Sequence, residues 1–175
     1  MKYFRCAARA SEAGPVRVGH PAARTHEASI AEIHARFVAS VSSCTRQEIF
    51  DNWLAWREAI YLLVPVTCEW IDGSFISSRV NPKDIDVAIW VDAADFLSLS
   101  EARQLAIRRL FGEGGFDLFK VDATLIPRCE AGDPLYPEYQ ENDSWVREAF
   151  ATARDRSQRL IDLAQLSKGK VEVSL

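Results

Sequence analysis

The stretch from Glu69 to Val91, EWIDGSFISSRVNPKDIDVAIWV, decides how the rest of the chain is read. Its end, Ile85-Asp86-Val87-Ala88-Ile89-Trp90-Val91, is rich in β-branched and aromatic residues and is bounded upstream by Asn81-Pro82, so it reads as a strand. Successive strand side chains point to opposite faces, which puts Asp84 and Asp86 on one face roughly 6.5–7 Å apart along the backbone. Two anions this close repel each other. A hydrophobic strand tolerates them where hydrogen bonds, a positive group or a metal offsets the cost. Oxygen-only ligation favours magnesium or manganese over zinc. The plainer alternative is a polar turn before a strand, with Asp84 capping and Asp86 solvated.

Upstream lies the turn Asp72-Gly73-Ser74-Phe75. Glycine allows backbone to approach a ligand closely, and the following amides with the Ser74 hydroxyl suit terminal phosphates. No GxxxxGK or GxGxxG pattern is present, which excludes a P-loop and a dinucleotide turn. Two-metal phosphoryl transfer calls for a further carboxylate. Phe119–Ile126, FKVDATLI, is the second strand-like run, and its alternation sets Lys120, Asp122 and Thr124 on one face. A lone edge-strand charge is the competing account of Asp122.

The order of a Gly-Ser turn, an Asp-x-Asp strand and a later acidic strand resembles the DNA polymerase β-type nucleotidyltransferase superfamily. A finer resemblance is to small bacterial and phage-borne proteins with a nucleotidyltransferase-like domain, mostly of unknown function. It rests on the stretch quoted above, on HPAARTHEASIAEIHARF upstream and on the late KGKVEV. The resemblance implies an α/β (α+β) fold, a small mixed β-sheet flanked by helices. It further implies a nucleoside triphosphate (NTP) substrate, Mg2+ or Mn2+, and transfer of a nucleoside monophosphate to an acceptor hydroxyl. Asp84, Asp86 and Asp122 would then be the catalytic and metal-binding acids, and Gly73 and Ser74 would hold the phosphates. The acceptor stays open among a small molecule, a protein and an RNA end. The alternative is an inactive nucleotide-binding or partner-binding module of the same fold, in a toxin–antitoxin or phage-defence setting.

The 175 residues allow one core with short additions. A net charge of -4 argues against a broad nucleic-acid surface, which requires basic groups. The four cysteines form no CxxC, against zinc or redox chemistry. No apolar run approaches membrane-spanning length and no secretory signal is visible, so a cytoplasmic protein without membrane association is expected.

Residues 1–27 read as an irregular arm and 28–175 as one domain. Ser29-x-x-Glu32 and Thr45-x-x-Glu48 fit the starts of two helices, the second with Trp53 and Trp56 on its apolar stripe. Asp92–Leu99 reads as a cleft edge. A further helix is introduced by Ser98-x-x-Glu101, with Leu99, Ala102, Leu105, Ala106 and Leu110 inward. Gly112, Gly114 and Gly115 read as a bend, and 127–143 as a long loop whose Tyr136 and Tyr139 either stack a base or pack the loop. An arginine-rich helix over 144–166 and a short strand within 168–175 complete the expectation.

Overall fold

The computed structural model describes residues 25–151 and 170–174. Most of the N-terminal arm, and Arg154, Arg156 and Arg159 of the expected C-terminal helix, lie outside the described residues. Five strands form one mixed sheet: β1 (Thr25–Ala28), β2 (Cys68–Asp72), β3 (Ile85–Asp92), β4 (Val121–Arg128) and β5 (Lys170–Val173). Their spatial order is β1-β5-β2-β3-β4. The β1/β5 and β3/β4 pairs are parallel, and β2 runs antiparallel to both β3 and β5. The expected late strand is thus β5, inserted between β1 and β2. β1 begins within the last three residues of the expected arm, where Thr25, His26 and Glu27 pair with β5.

Alternation gives the sheet two covered faces. On one, Ile71, Ile85, Val87, Ile89, Val91, Val171 and Val173 meet α1 (Ile30–His34) and α2 (Arg46–Tyr61). Ser29 caps α1 in the expected box with Glu32, and a π-helical turn over Ala35–Ala39 follows. Trp53 and Trp56 of α2 are fully buried, each contributing roughly 4–6 kcal/mol of transfer free energy as an upper estimate. Trp53 Nε1 donates to Glu69 Oε1 at 2.9 Å. Glu69 is fully buried, and Arg57 Nε (2.8 Å) and Tyr61 Oη (2.9 Å) donate to its other oxygen. Such a carboxylate is tolerated inside a core because its lone pairs are occupied. Burial, reinforced by the Glu69 charge, pushes the Tyr61 phenol up.

On the opposite face, Trp70, Ala88, Trp90 and Ile126 pack against Val146 and Phe150 of α6 (Tyr136–Ala151). This helix begins inside the expected loop, which shortens to residues 129–135. Leu135 N donates to Asp133 Oδ1 at 2.8 Å and Tyr136 N to Asp133 O at 2.9 Å, closing the entry turn. Pro137 falls in the first helical turn, where a missing N–H costs nothing. Tyr139 packs with the Trp70–Trp90 cluster, as the packing alternative required.

Between β3 and β4 the chain forms α3 (Ala93–Ser98), α4 (Glu101–Leu110) and α5 (Glu113–Phe119). The expected cleft edge is therefore α3. Ser100, not Ser98, caps α4 by accepting from Arg103 N, while Ser98 Oγ donates back to Asp95 O. Ile107 is the fully buried residue of α4 and Leu105 is 46% exposed. The inward row includes Gln104, which apolar periodicity overlooks and which donates Nε2 to Leu99 O at 3.1 Å. The expected glycine bend is helical: a Cβ on Gly115 would stand 2.1 Å from Leu110 O, so glycine lets α5 pack onto the end of α4.

Candidate functional site

The acidic residues collect at one end of the α6-covered face, where β3 and β4 start and β2 finishes. Asp86 of β3 is in register with Asp122 of β4 on one side and with Asp72 of β2 on the other. Directly paired strand residues stand about 4.5–5.5 Å apart, so three aspartates form a row across three strands. Asp84 immediately precedes β3, two residues from Asp86 and half-buried. Among the described residues, no three His, Cys, Asp or Glu side chains are gathered into a metal-holding group. The strands bring the acids to one end without closing them on a common point.

Gly73 follows β2 directly and adopts φ +82°, a left-handed conformation that glycine accepts without strain. A Cβ there would stand 1.6 Å from Asp86 Oδ2, so the Asp86 carboxylate occupies space that any other residue would fill. The turn and the paired-acid strand are thereby in direct contact. Past Ser74, the Ser77 hydroxyl donates to Ser74 O at 2.8 Å and accepts from Arg79 N at 3.2 Å, curling the connection back on itself.

Arg46 at the start of α2 anchors this connection. It is 1% exposed, and its guanidinium donates to the carbonyls of Phe37 (2.9 Å), Ser77 (2.9 Å) and Val80 (3.2 Å), as well as those of Phe75 and Arg79. The planar fork of arginine is what serves several carbonyls at once. Thr45 Oγ1 to Pro82 O at 2.8 Å and Cys44 N to Asn81 Oδ1 at 3.2 Å fasten its far end.

The charge balance is acidic with cations at the rim. Burial first, and then the neighbouring Asp122 charge, push Asp84 above the usual carboxylate range, while Arg79 and Lys83 pull it back. Lys120, expected on the strand beside Asp122, instead caps α5 at φ 56°, ψ 35°. Its ammonium turns to Asp117 O at 3.4 Å, and its carbonyl accepts from Ile85 N at 3.1 Å, tying the starts of β3 and β4. His34 sits edge-on to Phe50 at 5.0 Å in a packing role.

Three residues of this region escape a motif reading: Asp72, Arg46 and Arg79. Alternation through β2 carries a signal for Asp72, since it shares a face with Trp70. An arginine opening an apolar helix carries none, because its partners are backbone atoms.

Because the raised Asp84 pKa lies above that of the unfolded chain, its contribution to stability is present at acid pH and lost as pH rises through that value. Asp84→Asn should therefore raise Tm at pH 7 in EDTA. The rise should shrink at acid pH, where the carboxyl is protonated in both the folded and the unfolded chain, as calorimetric scans at neutral and acid pH would register.

Residues 14–174 match a family described as "Family of unknown function (DUF6932)". The chain belongs to this family. No curated protein and no solved structure matches it. The family match spans the Gly73 turn, all four aspartates and β5. Among the described residues no helix is long and apolar enough to cross a membrane.

Proposed function

We propose that this chain is a metal-dependent nucleotidyltransferase of the DNA polymerase β type, moving a nucleoside monophosphate from an NTP to an acceptor hydroxyl. The observation that carries this reading is the close approach of the left-handed Gly73 to the Asp86 carboxylate. It brings the Gly73–Ser74 turn against a strand that holds Asp86 in register with Asp122. The oxygen-only donor set of Asp84, Asp86 and Asp122 suits Mg2+ or Mn2+, and the mutual repulsion at Asp84 is of the kind a cation relieves. Bound there, such ions would supply charge compensation at the phosphates and a lowered pKa for the acceptor hydroxyl.

In this reading the Gly73–Ser74 amides and the Ser74 hydroxyl hold the β and γ phosphates, and the acceptor oxygen bonds to the α phosphorus as its bond to pyrophosphate breaks. Asp122, exposed at the mouth of β4, takes the acceptor proton. Arg79 provides a cation on the same loop as Ser74. Calorimetric titration with each of ATP, GTP, CTP and UTP should show binding with Mg2+ and little in EDTA. Ser74→Ala should weaken that binding about tenfold, the worth of one hydrogen bond to a charged group. Negligible binding in all conditions would overturn the assignment.

Phe116 and Leu118 favour a second reading, a partner-binding module without catalysis. They are 36% and 72% exposed on α5, the helix leading into the Asp122 strand. That reading requires that α-labelled nucleotides leave no label on any component of a cell extract.

A further inference from the structure

On the sheet face opposite the aspartates, a cavity of about 340 Å³ opens between the β1/β5 edge, α1 with its π-helical continuation, and the Gly73–Pro82 connection. Its volume is at the lower end of the range for small-molecule sites. Ile33, Phe37, Ile76 and Val171 give it an apolar lining, and Glu32 and Arg36 bring one charge of each sign. Glutamate four residues before arginine on a helix normally pairs with it. Here the two make no ion pair. Glu32 Oε2 is turned back to Ser29 N (2.8 Å) and Ser29 Oγ (2.7 Å), while the Arg36 guanidinium, past the shift to π geometry, lies 5.5 Å from the Phe37 ring centroid. Of the other titratable groups at the rim, His26 lies in register with Val171 and so faces the cavity. Glu27 also borders the cavity, but it is in register with Glu172 on the other side of the sheet and its carboxylate accepts from Ser174 Oγ at 3.4 Å.

We infer that this cavity binds a free apolar α-amino acid, its ammonium on Glu32, its carboxylate on Arg36 and its side chain among Ile33, Phe37 and Ile76. Opposite charges held apart over an apolar lining match a small zwitterion, whereas a lone carboxylate or a lone amine engages only one of them. The site is mechanically joined to the phosphate-cradling loop. Arg46 binds the carbonyls of Phe37 and Phe75 together, and the rings of those residues stand 6.4 Å apart. Ile76, next along the loop, lines the cavity itself. Occupancy therefore bears on the loop that carries Ser74.

The test is calorimetric titration of the full chain, without metal or nucleotide, with L-phenylalanine, 3-phenylpropionate and 2-phenylethylamine. L-Phenylalanine should bind at least tenfold more tightly than either half-molecule. Arg36→Gln and Glu32→Gln should each weaken it at least tenfold; glutamine at 32 preserves the capping box and hence the helix start. Ile76→Trp, which fills the cavity, should abolish binding. Asp86→Asn should leave it unchanged, so the outcome is independent of the nucleotidyltransferase reading. Equal binding of the three probes, binding that survives both charge variants, or no binding by the folded wild type would overturn the inference.

Discussion

Arg46→Met should lower the stability of the protein by about 3 kcal/mol, a fall in Tm of about 6–12 °C for a chain of this size. Methionine keeps much of the buried volume and removes every donor. Five carbonyls, those of Phe37, Phe75, Ser77, Arg79 and Val80, then lose their partner together. A buried acceptor left without a donor costs about 1–3 kcal/mol, but this sum is not reached, because Ser77, Arg79 and Val80 lie on an exposed connection whose carbonyls can turn to water. Phe75 cannot follow them, since it is fully buried in the main core. The loss should therefore appear as a loosened 73–82 segment as well as a lower Tm. Amide exchange should accelerate across that segment while β3 amides stay protected. Arg46→Lys should recover less than half of the lost stability, because an ammonium has three donors on a tetrahedral point and cannot span carbonyls on two chain segments. A methionine variant as stable as the parent would show that these hydrogen bonds are replaced by water without penalty.

The parts of the fold legible in the sequence are those written in local chemistry. Ile85–Val91 read as a strand because β-branched and aromatic residues follow a proline, and β3 begins at Ile85. KVEV near the C-terminus read as a strand by alternation, but nothing local indicates that it inserts between β1 and β2, since strand order is decided by long-range pairing. The α6 boundary was lost because Pro134 and Pro137 read as loop, although proline in a first helical turn is compatible with a helix. On the site, strand period singles out Asp86 and Asp122, and the Gly-Ser turn ahead of them with the family resemblance brings in Asp84 as a third acid. Asp72 joins Asp86 and Asp122 in one row only once β2 is known to pair with β3 in the register that aligns Asp72 with Asp86. Lys120 was misplaced because a single left-handed residue ends α5 where the pattern continued the strand. Arg46 could not be anticipated, as its role depends on backbone carbonyls brought from two separate segments.

Asp86→Asn should abolish label transfer from α-labelled NTP, by about 10²–10³-fold or more, while leaving the fold intact. Asparagine has the volume and shape of aspartate, so the close packing of this side chain on Gly73 survives and Tm should not fall. What is lost is the negative charge in the middle of the row, between Asp72 and Asp122. Gly73→Ala gives the complementary result. Its Cβ would meet Asp86 Oδ2 at 1.6 Å in a left-handed backbone, so either the turn or the carboxylate must move, and activity and stability should fall together. The two sites should couple in a double-mutant cycle: Gly73→Ala should cost less stability in an Asp86→Ala background, where the colliding carboxylate is gone. Transfer that persists undiminished in Asp86→Asn would contradict the assigned chemistry, and additive stability effects would contradict the contact on which it rests. If the parent protein labels nothing with any nucleotide, yet the Gly73–Asp86 coupling holds, the turn and its carboxylate serve the partner-binding reading instead.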